Sequence, residues 1–179
     1  MSPIRTDFAT SDPPSLPDST RDSYGGQMPR PPRLQVAGGI YHVTSRGHRR
    51  QAIYHDDDDR HFFLALQDRT FRRFGWHLRE YCLMTNHFHL LFDTPRADLS
   101  RGMHRLNSVY STYFNERHGL DGHLFDRRFG SRLVETEEHL LDATRYIAFN
   151  PVRAELCSHP REWKWSSFHG VERSFAFDA

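Results

Sequence analysis

Apolar and polar positions divide the chain into short segments of two different periods. From Gly39, "GIYHVTSRG" alternates and predicts a strand. The stretch "RHFFLALQDRTFRRF" places Phe62, Phe63, Leu66, Thr70 and Phe74 near helical spacing, with Gly75 as a stop. Asp56 to Asp59 stand before it. Four consecutive carboxylates suggest a cation site, but consecutive side chains diverge. Acidic residues at a helix start, favoured by the macrodipole, are the reading adopted. "WHLREYCLMT" and "HFHLLFDT" read as two strands joined tightly around Asn86.

A second helix is predicted over "DLSRGMHRLNSVYSTYFNERHG", with Met103, Leu106, Tyr110 and Tyr113 or Phe114 on one face and Gly119 at its end. "RRFGSRLVET" reads as another strand. Thr136 is an N-cap candidate for a third helix, "EEHLLDATRYIAFN", which is expected to end near Pro151. The order is strand, helix, strand, strand, helix, strand, helix. It predicts an α+β, ferredoxin-like (RRM-like) fold: an antiparallel sheet with helices packed on one face, plus a C-terminal helix carrying Tyr146.

Composition changes the picture at the N-terminus. Residues 1–31 hold six prolines and many Ser, Thr and Asp, and are expected to be a disordered tail, with Met28 as an alternative start. A single domain is expected over 32–172, with a short tail at 173–179. No apolar run is long enough to span a membrane, and no apolar leader segment follows Met1. Cys82 and Cys157 form no CxxC and read as reduced thiols. A cytoplasmic, nucleoid-associated location is expected. The formal net charge of +1 announces no particular partner, yet Lys164 is the only lysine, so 23 of the 24 basic residues are arginine. Arginine suits phosphate recognition; an arginine-favouring coding bias explains the skew equally well.

His87 and His89 lie two apart in a predicted strand, so they share a face about 7 Å apart along the backbone. Such a pair can hold a metal or a phosphate, or be structural histidines with hydrogen-bond partners. With 13 histidines in the chain, the spacing alone leaves both readings open. Tyr146 and Asn150, four apart, share a helical face. A tyrosine oxygen can be a nucleophile and an asparagine carbonyl a hard metal ligand, but Tyr146 also fits an amphipathic core and Asn150 a helix end.

Several landmarks in order make the chain similar to a known family: "GGIYHVTSRGHRR", His-Phe-His at 87–89 preceded by Met84-Thr85-Asn86, "GHLFDRRFGSRLVE", "RYIAFNPVRAEL" and "WKWSSF". Across roughly residues 32–171 the chain resembles the HUH single-tyrosine transposases, most closely the REP-associated tyrosine transposases. Thr85 departs from the proline usual in relatives, outside the ligand set.

The resemblance implies His87 and His89 as a metal pair, Asn150 as a third ligand, Tyr146 as the nucleophile, and Mg2+ or Mn2+ as cofactor. It implies single-stranded DNA with a hairpin, at repeated palindromic elements, as substrate. Cleavage and rejoining would pass through a covalent phosphotyrosine, in a monomer or homodimer. Arg46, Arg49 and Arg50, and separately Arg127, Arg128 and Arg132, are candidates to track phosphates. Two rivals are a catalytically silent nucleic-acid-binding protein of the same fold and a metal-dependent hydrolase. No RNP1-like run supports an RNA-binding RRM, and no acidic third ligand stands at obvious spacing for the hydrolase.

Overall fold

The computed structural model describes residues 35–170. The expected tails at 1–31 and 173–179 lie outside them. Four strands and three helices follow in the anticipated order: β1 (Gly39–Arg46), α1 (Asp57–Phe74), β2 (His77–Leu83), β3 (His87–Thr94), α2 (Leu99–His118), β4 (Gly130–Val134) and α3 (Glu137–Arg153). The sheet order is β2-β3-β1-β4, every pair antiparallel, which is the ferredoxin-like arrangement.

Alternation along β1 and β3 gives the sheet two different faces. Tyr41, Val43, Phe88, Leu90 and Phe92 point to one side and build the main core with Phe63, Leu66, Met103, Leu106 and Tyr110 of α1 and α2. Leu91, Cys82 and Val134 point to the other side, where Ala143, Ile147 and Ala148 of α3 cover them. Helices α1 and α2 thus share a face as expected, and α3 takes the opposite one.

The helix ends obey local chemistry. Asp56 caps α1 by accepting from the Asp59 amide at 3.0 Å, so the aspartate run is a helix start. Asp59 is fully buried. It accepts from the His55 amide at 2.7 Å and contacts Arg117 at 2.5 Å and His118 at 3.0 Å, tying the start of α1 to the end of α2. Thr136 caps α3 by accepting from His139 at 3.1 Å.

At its other end α3 departs from expectation and runs through Pro151 to Arg153. Proline in the last turn forfeits only one intrahelical bond. The chain then closes on itself, with the Ala154 and Leu156 amides donating to the Asn150 and Pro151 carbonyls at 3.1 and 2.9 Å.

After α3 the chain returns to the edge strand β2. Leu83 donates to the Trp165 carbonyl at 2.8 Å, Trp163 Nε1 donates to the Leu83 carbonyl at 3.0 Å, and the Tyr81 amide donates to Ser167 Oγ at 3.1 Å. The Trp-Ser-Ser segment therefore covers hydrogen-bonding groups that an open edge would leave exposed.

Candidate active site

The face covered by α3 carries the polar residues. Register places them in rows: Arg46 opposite His87, Thr44 opposite His89, and His42 between Leu91 and Arg132. Helix α3 brings Asn150 and Tyr146 over this surface, where Asn150 Nδ2 lies 3.1 Å from His89 Nε2. The Tyr146 ring is centred 5.5 Å from the His89 ring and 5.9 Å from the His42 ring, edge-on to both. Its side is open, with Tyr146 45% exposed, whereas His89 is only 4% exposed. The Arg153 guanidinium lies over the Tyr146 ring, 5.2 Å from its centre.

The histidines are held from behind. His87 Nδ1 lies 2.7 Å from Asn86 Oδ1, and Asn86 Nδ2 donates to the Arg50 carbonyl at 3.0 Å. That second bond fixes which end of the Asn86 amide is oxygen. His87 Nδ1 must therefore carry the proton, and its Nε2 keeps a lone pair. His89 Nδ1 lies 2.9 Å from His42 Nε2. The two histidine rings of the pair are centred 5.0 Å apart and nearly perpendicular.

Burial makes the charged imidazolium costly here. It lowers His42 to about 4, with His139 and Arg132 adding to the effect. It lowers His87 to about 4 as well, with Arg46 pushing the same way against a hydrogen bond to Asn150. His89 falls well below the ordinary imidazole value through burial, then through His42, His87 and Arg46. Neutral imidazoles are the form that ligates metals.

Among the described residues no group of three or more His, Cys, Asp or Glu forms a metal-holding cluster. The donors here are instead two imidazoles and a carboxamide, Asn150, which reaches both rings. That set fits a divalent ion by donor type: two borderline nitrogen donors and one hard oxygen.

Two other tyrosines, on α2, lie away from this site. Tyr110 is fully buried and donates to the Ile53 carbonyl at 2.6 Å, and burial pushes its phenol far up. Tyr113 stacks on Phe62 with ring centres 3.5 Å apart.

The arginines divide. Arg46 and Arg132 are exposed and flank the histidines, each directly across from one of them. Arg49 and Arg50 lie in a tight turn after β1, with φ of 51° and 61°. The segment bearing Arg127 and Arg128 clips to the same end of β1: the His48 amide donates to the Leu124 carbonyl at 2.8 Å and Asp126 to the Arg46 carbonyl at 3.0 Å. Arg127 lies 3.6 Å from Asp126, which offsets part of its charge.

His42, Asn86 and Arg153 are site residues that sequence reasoning did not single out. The odd-numbered apolar positions of β1 already put His42 on the polar face, but its partnership with His89 depends on register.

Comparison with known proteins meets this geometry. The family described as "Transposase IS200 like" matches residues 35–150, and the chain belongs to that family of DNA transposases. Within it, a Haemophilus influenzae protein assigned to the REP-associated tyrosine transposases is 25% identical over 143 residues, covering 74% of this chain and 81% of its own length. Among solved structures, a REP-associated tyrosine transposase bound to a REP hairpin aligns with a TM-score of 0.67 at 19% identity, covering 79% of this chain and 84% of that one. A looser likeness, with a TM-score of 0.45 at 15% identity, covers 68% of this chain and 95% of a Deinococcus radiodurans chain assigned as a transposase. The likeness to the hairpin-bound structure speaks to fold. The resemblance read from the motifs is borne out, and by class the chain is a DNA strand transferase.

Proposed function

We propose that the protein cleaves and rejoins single-stranded, hairpin-forming DNA, with Tyr146 as nucleophile. The observation that carries this reading is the approach of α3 to β3. One helix brings an exposed tyrosine beside His89 and an asparagine onto it. Both halves of the site come from one chain, so the reading needs no second copy.

In the proposed step the Tyr146 oxygen bonds to the phosphorus of a phosphodiester while the bond to the 3′-oxygen breaks. The phenol proton leaves to solvent or to the departing oxygen, giving a phosphotyrosine and a free 3′-hydroxyl. Attack by another 3′-hydroxyl reverses the step and rejoins strands without ATP. His87, His89 and Asn150 would hold Mg2+ or Mn2+, and the ion would polarise the phosphate and stabilise the leaving oxygen. The chain's own part is to position the nucleophile in line, which removes the entropy cost of bringing it to the phosphorus from solution. Arg153 over the Tyr146 ring and Arg46 beside His87 supply positive charge where the phosphate oxygens would lie. Arg49, Arg50, Arg127, Arg128 and Arg132 extend this charge along the strand's path. The hairpin bound by the structural relative supports the substrate class.

The test is a covalent-adduct assay with labelled hairpin oligonucleotides from repeats flanking the gene. Wild type with Mg2+ or Mn2+ should give a protein–DNA band on a denaturing gel. Tyr146→Phe and His87→Ala should each lose it while still binding the hairpin. Cleavage without a retained protein would point to a hydrolase. Tight binding with no cleavage in any metal would make the protein a silent binder.

A further inference from the structure

We propose that His42 is a positioning residue that locks His89 in the tautomer with the proton on Nδ1 and the lone pair on Nε2. The inference rests on the donor set given under Proposed function, but its central measurement needs neither metal nor DNA.

A neutral imidazole has one donor nitrogen and one acceptor nitrogen. His89 uses both in this structure. Its Nε2 faces the Asn150 amide nitrogen at 3.1 Å, and an amide N–H only donates, so Nε2 accepts. The proton must then sit on Nδ1, which lies 2.9 Å from His42 Nε2. His42 Nε2 accepts it, and His42 carries its own proton on Nδ1. The chain of donation runs one way, from Asn150 through His89 to His42.

Geometry leaves His89 few alternatives. It is 4% exposed, so water does not replace a lost partner, and an unpaired buried N–H is costly. The neighbouring His87 shows the same design by a different route. There the acceptor is Asn86 Oδ1 at 2.7 Å, fixed in turn by the Arg50 carbonyl. Each histidine thus gives Nδ1 a dedicated acceptor, and Asn150 contacts both rings. Partners of this kind orient metal-ligating histidines and raise their basicity, and their loss typically weakens metal binding 10- to 100-fold.

The test uses the full chain, free of metal and DNA, with 15N-labelled histidine. Long-range proton–nitrogen correlation spectra at neutral pH report each ring's tautomer. The expected wild-type result is a protonated Nδ1 at both His87 and His89. A protonated Nε2 on wild-type His89 would overturn the proposal at once, whatever the variants do. In His42→Phe, His89 should leave the Nδ1-protonated form, and Mn2+ affinity, titrated by the signal of free Mn2+ in electron paramagnetic resonance, should fall about tenfold. In His42→Gln, whose amide oxygen can occupy the place of Nε2, tautomer and Mn2+ affinity should return. An unchanged His89 tautomer and unchanged Mn2+ affinity in a folded His42→Phe would also overturn it. Failure of Tyr146 to form an adduct would leave these spectra untouched, so the two proposals fall separately.

Discussion

At the scale of residues, Gly102 shows how closely the core is fitted. A Cβ there would lie 2.2 Å and 2.5 Å from atoms of the Trp76 ring. Trp76 cannot easily retreat, because its Nε1 donates to Asp98 at 2.8 Å and its ring stacks on Phe92 with centres 4.8 Å apart. Gly102→Ala should therefore destabilise the fold by about 1–3 kcal/mol, read as a lower urea midpoint, although alanine is the better helix former. Phe88→Ala, at a fully buried centre of the main core, should cost about 3–5 kcal/mol in the same measurement. Much of the site was legible at this scale. Local spacing puts His87 with His89 on one strand face and Tyr146 with Asn150 on one helix face, while the roles proposed for them come from the ordered motifs of the family resemblance. His42 was not legible in that way. It stands 47 residues from His89, and only strand register brings them together.

Among the elements, the clamp between α1 and α2 makes stability depend on acid. Asp56 is held at about 2, against 3.8 when free, first by hydrogen bonds from Arg117 and then by the Asp59 amide. Because the fold binds its charged form more tightly, the stabilisation is complete above about pH 4 and is withdrawn as pH falls toward 2. Asp59 moves in the same direction: burial raises it, but its bonds from the His55 amide, His118 and Arg117 together outweigh burial. The urea midpoint should drop between pH 4 and 2, and Arg117→Ala should flatten that drop while lowering the midpoint at neutral pH. The sequence showed the acidic helix start but not this clamp, since Arg117 and Asp56 approach only when the two helices pack. The end of α3 lies past the proline for a related reason. Proline breaks a helix interior, but Pro151 stands in a last turn, where the carbonyls of Asn150 and Pro151 still find partners.

For the whole molecule, the order of periodic segments was enough to give the ferredoxin-like sheet, because few topologies satisfy it. Which face α3 would take was not written in that order. It follows from the second apolar set, Leu91, Cys82 and Val134, which needs its own cover. The same arrangement gathers positive charge on the side that carries the histidines. If Arg46 and Arg132 meet phosphates there, Arg46→Ala and Arg132→Ala should each weaken hairpin binding across sequences. Each should also lower the slope of log affinity against log salt by about 0.7. A titration of fluorescent hairpin over a range of salt concentrations reads both effects.

The closure of β2 by residues 163–167 has a consequence for the nascent chain. Strands β2 and β3 can pair as soon as both leave the ribosome, but the outer backbone of Tyr81 and Leu83 waits for partners made some 80 residues later. At translation rates of about 5–20 residues per second, that edge stays open for several seconds. During this interval it can template pairing with another chain, so polysomes, where identical chains emerge side by side, are where misassembly of this protein would begin.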